Sequence, residues 1–278
     1  MNHSGTATIG SPNAASYTIS NLTGINIADG SGGTASNYTL TGGTHNFVVN
    51  RRVVGVSGTR LYDATTNAIA SDLSTHANLV GSETLNLSGT GTIASKDVGP
   101  NKTVTVGTLA LADGTGAASN YSLNSAAINI TQRVLSSSGS KTYDANTDAL
   151  AADITLSNLV SGEALNHSGT ATISSANAGS YTITNLTGVS IADGSGGTAS
   201  NYTLTGGTHN FTVNQKVISL SGSRLYDATT NAVASDLTTI SGRVGSETLA
   251  LSGTGSVSNA NVSNNKTCLL YTSDAADE

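Results

Sequence analysis

Tryptophan is absent from this chain of 278 residues, which holds only 2 phenylalanines, 2 prolines and 1 cysteine. Side chains that fill large cores are scarce, and the 37% hydrophobic content is rich in alanine, so each domain owns a thin core. The single cysteine, Cys268, excludes an intrachain disulfide and any Cys-based zinc cluster. Charged residues make up 10%, with 17 acidic against 11 basic and a net charge of −6. That balance argues against a nucleic-acid partner, because neutralising phosphates needs a basic face. No run approaches the ~20 apolar residues of a membrane-spanning helix, and the start, Met1 to Gly5, lacks the basic and apolar segments of a signal peptide.

What the chain does have is repetition. Leu165 to Thr267 aligns without a gap on Met1 to Thr103, and IADGSGGTASNYTLTGGTHNF recurs at Ile27 and Ile191. A shorter, more diverged period lies inside this one. Three YDA triplets begin at Tyr62, Tyr143 and Tyr226, spaced 81 and 83 apart, and three SNY triplets end at Tyr38, Tyr121 and Tyr202, spaced 83 and 81. A unit of ~82 residues is too long for one solenoid coil and suits an array of small modules. The expected division is 1–50 as the C-terminal part of a repeat, 51–132 and 133–214 as complete repeats, and 215–267 as the N-terminal part of another.

Within each unit the pattern is β. Apolar residues alternate at period 2 in short runs such as Leu85-Asn86-Leu87, Thr103 to Val106, Ile128-Asn129-Ile130, Thr182-Ile183-Thr184 and Phe211-Thr212-Val213, bounded by Gly, Asn, Asp and Ser. No helical period lasts ten residues; only Ala64 to Leu73 tolerates a turn of helix or an irregular strand. The expected fold class is mainly β, a tandem array of small sandwich or grasp-like modules without long helices. The junctions Phe47 to Val56, Ile128 to Leu135 and Phe211 to Leu220 contain no Gly/Ser or Pro linker, which restricts hinging and implies a semi-rigid array.

The Tyr-Asp pairs Tyr62-Asp63, Tyr143-Asp144 and Tyr226-Asp227, the LVGSETLNLSGTGTI run, the DVGPNKTVTV segment at Asp97 and the closing SNYTL or SNYSL together resemble YDG-type repeats. These are the repeat domains of filamentous-haemagglutinin-like bacterial surface adhesins exported by two-partner or autotransporter routes. The resemblance covers Met1 to Thr267 and implies a secreted stalk or spacer at the Gram-negative outer membrane, not an enzyme. Two positions depart from the pattern. Ala64, Ala145 and Ala228 replace a Gly, which argues against a left-handed turn there, and Glu83, Glu163 and Glu247 replace an Asp. After Thr267 the repeat stops, and residues 268–278 resemble a translated sequencing adapter. A fragment with a non-native tail is expected, with residues 273–278 weakly packed and the fourth repeat the least stable.

Candidate chemistry is sparse. Asp29, Asp113 and Asp193 open Gly-rich loops that suggest calcium, but each loop supplies one carboxylate where a calcium site needs six to eight oxygens. The alternative is an Asp that satisfies backbone N–H groups. Repetition marks the Tyr-Asp pairs, and the pairs Asn37-Tyr38, Asn120-Tyr121 and Asn201-Tyr202, as scaffold: a phenol packed over a thin core with its hydroxyl paired, and an Asp bonded to the following turn. His3, His45, His167 and His209 read as lone turn histidines. Sequons stand at Asn21, Asn37, Asn185, Asn201 and Asn210. No catalytic residue and no cofactor is assigned. The partners expected are neighbouring repeats, with a host-surface glycan or protein as ligand in the rival reading that the repeats themselves bind.

Overall fold

A computed structural model describes residues 2–269. Every helix among the described residues is a single 3-10 turn of three residues, and all other regular structure is strand. The stretch Ala64 to Leu73 is both things left open for it, a strand at Asn67–Ile69 running into a 3-10 turn at Ala70–Asp72.

The chain falls into two compact units. Among the described residues, the first comprises 2–134 with 160–163 and 196–203, and the second comprises 135–159, 164–195 and 204–269. In the first, the repeat beginning near residue 51 builds a six-stranded sheet in the order Asn67–Ile69, Thr90–Ile93, Gly99–Thr105, Tyr121–Thr131, Arg52–Leu61, Thr75–Ala77. Its opening strand, Arg52–Leu61, and closing strand, Tyr121–Thr131, lie side by side in parallel, from the Tyr121/Arg52 pair to the Thr131/Leu61 pair. Period-2 alternation explains the core: Val54 and Val56 on one strand, and Ala126, Ile128 and Ile130 on the other, are buried while their neighbours are not. Burying a Val or Ile side chain contributes about 1.5–3 kcal/mol. Gly58 is required where the opening strand passes the 3-10 turn, because a Cβ there would stand 1.6 Å from the Asp72 carbonyl oxygen.

In the second unit the same order recurs: Ile154–Ser157, Ser136–Thr142, His209–Asn214 and Gly179–Thr182 form one sheet with a parallel Ser136–Thr142/His209–Asn214 pair. Asp148–Leu150, Asn166–Thr172 and Val189–Ala192 form a second sheet. Ala149, Ile154, Ala171, Ile173, Ile183, Phe211 and Val213 fill the core between them. Ile183 lies one residue beyond the strand Gly179–Thr182, where it is buried and its N–H donates to the His209 carbonyl at 2.7 Å.

The end segments are partial versions of this design. Residues 2–50 carry two antiparallel pairs, Asn2–Gly5 with Ile25–Ala28 and Ala15–Thr18 with Asn46–Val49. The last repeat carries Ser219–Ser221 with Thr239–Ser241, and Asn231–Val233 with Thr254–Val257 and Cys268–Leu269. Cys268 and Leu269 pair with Val257 and Ser256 just as Val104 and Thr105 pair with Ile93 and Thr92. The expectation for residues 273–278 lies outside the described residues.

Candidate functional site

The YDA loop is held by its acid and by a cation three residues upstream. Asp63 Oδ1 accepts from the Thr65 backbone N–H at 2.9 Å and its hydroxyl at 3.0 Å, while Arg60 pairs with Asp63 Oδ2 and donates to the Thr65 carbonyl at 2.8 Å. Lys141 repeats the arrangement with Asp144 at 2.8 Å and the Asn146 and Asp148 carbonyls, and Arg224 repeats it with Asp227 and Thr229. The Lys141 ammonium beside Asp144 holds that carboxyl below its usual range, and the Thr229 N–H does the same for Asp227. These bonds correct the expectation drawn from alanine. Ala64, Ala145 and Ala228 adopt φ of 62°, 64° and 58°, so the left-handed turn persists without glycine. The Asp and the cation fix the chain on both sides and offset a cost of about 1–2 kcal/mol at each Ala.

In two of the three YDA loops the tyrosine before the Asp donates to a carboxylate more than 100 residues along the chain. In the first unit, Tyr62 donates its hydroxyl to Glu163 Oε1 at 2.7 Å, 101 residues on, and Tyr202 donates to Glu163 Oε2 at 2.5 Å. The two rings meet edge to face, with centroids 5.4 Å apart at 76°. Lys96 Nζ reaches Glu163 at 3.1 Å and lies 5.8 Å from the Tyr62 ring centroid, and the Val160 N–H donates to the Tyr202 hydroxyl at 3.1 Å. Only 6% of the Glu163 side chain is exposed. Burial works against its charge, but donation from Tyr202, Tyr62 and Lys96 outweighs burial and holds its pKa below the usual value. Burial and then donation to Glu163 raise both phenols, Tyr202 to about 12.

Asn201 reinforces this clasp. Fully buried, it accepts the Val98 N–H at 2.8 Å and donates to Asp97 Oδ1 at 2.9 Å, which lowers the Asp97 pKa. Asn120 makes the same pair of bonds with the Ala14 N–H, 2.8 Å, and Asn13 Oδ1, 2.9 Å. Gln132 donates to the Ser200 and Tyr202 carbonyls. Tyr121 donates to Glu83 within its own repeat, and in the second unit Tyr143 donates to Glu247. The remaining members differ. Tyr226 is 65% exposed and Tyr38 and Asn37 are exposed, so the three YDA tyrosines do not share one buried environment. Tyr62 and Tyr143 find their carboxylate 101 and 104 residues downstream.

The Gly-rich loops use their carboxylates on the backbone. Asp29 Oδ1 accepts the Ala35 N–H at 2.6 Å and Asp113 Oδ1 accepts the Ala118 N–H at 2.7 Å, each capping the 3-10 turn before an Asn-Tyr pair. Asp193 stands at the equivalent place, its carbonyl receiving Asn166 as that of Asp113 receives Asn86. Among the described residues no three His, Cys, Asp or Glu side chains are grouped as metal ligands would be. Of the four histidines expected in turns, His45 lies in the loop before Asn46–Val49, 2.8 Å from the Leu40 carbonyl, and the other three do not. His3, His167 and His209 lie in strands, where His209 bonds Ser137 Oγ and the Leu204 carbonyl, both at 2.9 Å, and His167 reaches the Ala151 and Ile154 carbonyls. The sequon residue Asn201 is sealed inside the clasp, and Asn21 and Asn185 each bond the hydroxyl of their own sequon threonine. Among the described residues no helix is long and apolar enough to cross a membrane.

Glu163 and its counterparts, together with Lys96 and the loop cations, are the members that reading the sequence missed. The signal for them was the near-constant separation of each Glu from its own SNY tyrosine, 38 residues for Glu83 and 39 for Glu163. The site is a structural joint: a buried carboxylate whose two oxygens are taken by phenols of different repeats. The sequence model of one family, described as the YDG domain, matches residues 50–130, 128–211 and 209–277, and the chain belongs to this family. No curated protein and no solved structure matches the chain.

Proposed function

We propose that the chain is a stalk segment of a large secreted bacterial surface adhesin, which holds a binding region away from the Gram-negative outer membrane and carries no catalytic site. The observation that supports this most is the clasp of Tyr62, Glu163 and Tyr202, in which a buried acid of one repeat accepts from the preceding repeat and from its own closing segment. A second support is the junction itself, where one residue, Gln132, separates the closing strand Tyr121–Thr131 from the strand Arg133–Val134. Tension on the chain then loads parallel strand pairs and buried hydrogen bonds instead of a slack linker.

Recognition by the repeats themselves would call for an aromatic face presented again and again. Among the described residues the large aromatics most exposed, Tyr38, Phe47 and Tyr226, belong to the end segments. Their counterparts Tyr202 and Phe211 are buried. Single-molecule pulling from the two ends tests the stalk reading. Discrete ruptures of the second and third repeats are expected, each lengthening the chain by roughly 280 Å, the extended length of about 82 residues. Featureless extension at low force would overturn the reading.

A further inference from the structure

The opening and closing strands of a complete repeat meet in parallel, and one buried pair in that seam changes its chemistry between the second repeat and the third. Val56 stands opposite Ala126 in the second, and Ser137 stands opposite His209 in the third. Val56 and Ser137 hold the same place, six residues before the YDA tyrosine, and all four side chains are buried. The apolar pair needs nothing further. The polar pair is complete in itself: the Leu204 carbonyl can only accept, so the His209 Nε2 that lies 2.9 Å from it carries a hydrogen. The Nδ1 lone pair then accepts the Ser137 hydroxyl, also at 2.9 Å.

Exchanging the two closing strands would spoil both seams. His209 against Val56 leaves the imidazole Nδ1 without a donor, and Ala126 against Ser137 leaves the hydroxyl without an acceptor, each out of reach of water. The next pair along would tolerate the exchange, because Gly58 faces Ile128 and Gly139 faces Phe211, a glycine against a large apolar residue in both repeats. Neighbours differ at the discriminating place down the whole chain. In the opening strands it reads Val56, Ser137 and Leu220, and in the closing segments His45, Ala126 and His209.

We propose that this buried pair is a pairing key, by which each opening strand selects the closing strand of its own repeat over that of the neighbouring repeat as the chain folds. Tandem repeats of like sequence misassemble by exchanging strands. A buried polar group that is satisfied by one partner and stranded by the other excludes the wrong choice at little cost to the right one. Alternation of polar and apolar keys places the discrimination between adjacent repeats, where exchange needs the shortest excursion of the chain.

Oxidative refolding of the full chain with cysteine reporters tests this, in a Cys268→Ser background. Asn210 natively stands opposite Ser138, so Ser57→Cys with Asn210→Cys forms a disulfide only where the third repeat's closing strand has paired with the second repeat's opening strand. Ser138→Cys with Asn210→Cys reports the native pairing and, with circular dichroism, that each variant folds. Peptide mass spectrometry should find the wrong disulfide scarce when the keys are native. Ser137→Val with His209→Ala gives the third repeat the apolar key, and Val56→Ser with Ala126→His gives the second the polar one. Either change makes the two keys alike and should raise the wrong disulfide at least about tenfold, the factor for one stranded buried polar group. Both changes together make the keys unlike again and should return it to the native level, although that chain carries all four substitutions. No rise with like keys, or a wrong disulfide that stays high in the fully exchanged chain, would overturn the proposal.

Discussion

Glu163 and Glu247 occupy the same position in successive repeats, yet one is saturated and the other is not. Glu163 accepts from two phenols and an ammonium, while among the described residues the Glu247 carboxylate accepts from the phenol of Tyr143 alone. A carboxylate is tolerated in a thin, alanine-rich core only where donors replace its lost water. The number of donors, more than the amount of apolar surface, therefore separates a locked joint from an open one. Removing the acid should make the difference visible. Glu163→Ala leaves two buried hydroxyls without an acceptor and should lower stability by about 3 kcal/mol in urea denaturation. Glu247→Ala should cost less than half as much, and equal losses would break the comparison.

Asn201 and Asn37 allow the same contrast at one remove. Asn201→Ala orphans the Val98 N–H and leaves the Asp97 carboxylate with the Ser95 hydroxyl as its remaining side-chain donor, a loss of about 2 kcal/mol. Asn37→Ala, at an exposed copy of the same triplet, should stay within about 0.5 kcal/mol. Thermal melts of the two variants read this directly.

The joint should also have a pH window. The folded pKa of Glu163 lies below its unfolded value, so its contribution is complete above the ordinary carboxylate range and is lost as pH falls through the folded value. Tyr202 is raised from 10.0 to about 12, so its contribution is complete below the unfolded value and is lost as pH rises through about 12. Urea midpoints followed across pH should fall on both sides, and Glu163→Gln should flatten the acid limb.

The left-handed alanines give the smallest effect. Ala64→Gly removes about 1–2 kcal/mol of backbone strain but adds unfolded-state freedom that costs about 0.4–1 kcal/mol, for a net gain of about 0.5–1 kcal/mol. A loss on this substitution would show that the Arg60 and Asp63 bonds already relieve the strain.

How much of this was legible depends on how far apart the interacting residues lie. Strands such as Ile128-Asn129-Ile130 could be read because alternation is a local consequence of pairing with one buried face. The role of Asp63 could be read too, since its partner Thr65 is two residues away. The acceptor of Tyr62 could not, because Glu163 stands 101 residues off and looked like a mere replacement for Asp. Ala64 misled for the opposite reason. Intrinsic preference disfavours φ > 0, and the ion pair that overrides it involves Arg60, whose only sequence signal is a basic residue three before the Asp of each YDA loop. The exposure of Tyr226 could not be read either, because an identical triplet does not by itself fix the long-range environment of its tyrosine.

The central claim is that one carboxylate couples two repeats, and a double-mutant cycle on Tyr62→Phe and Glu163→Gln measures that coupling. Urea unfolding of the wild type, the two single variants and the double variant should give an interaction energy of at least about 1 kcal/mol. Additivity within about 0.3–0.5 kcal/mol would mean that the hydrogen bond links the repeats in geometry without joining them in energy.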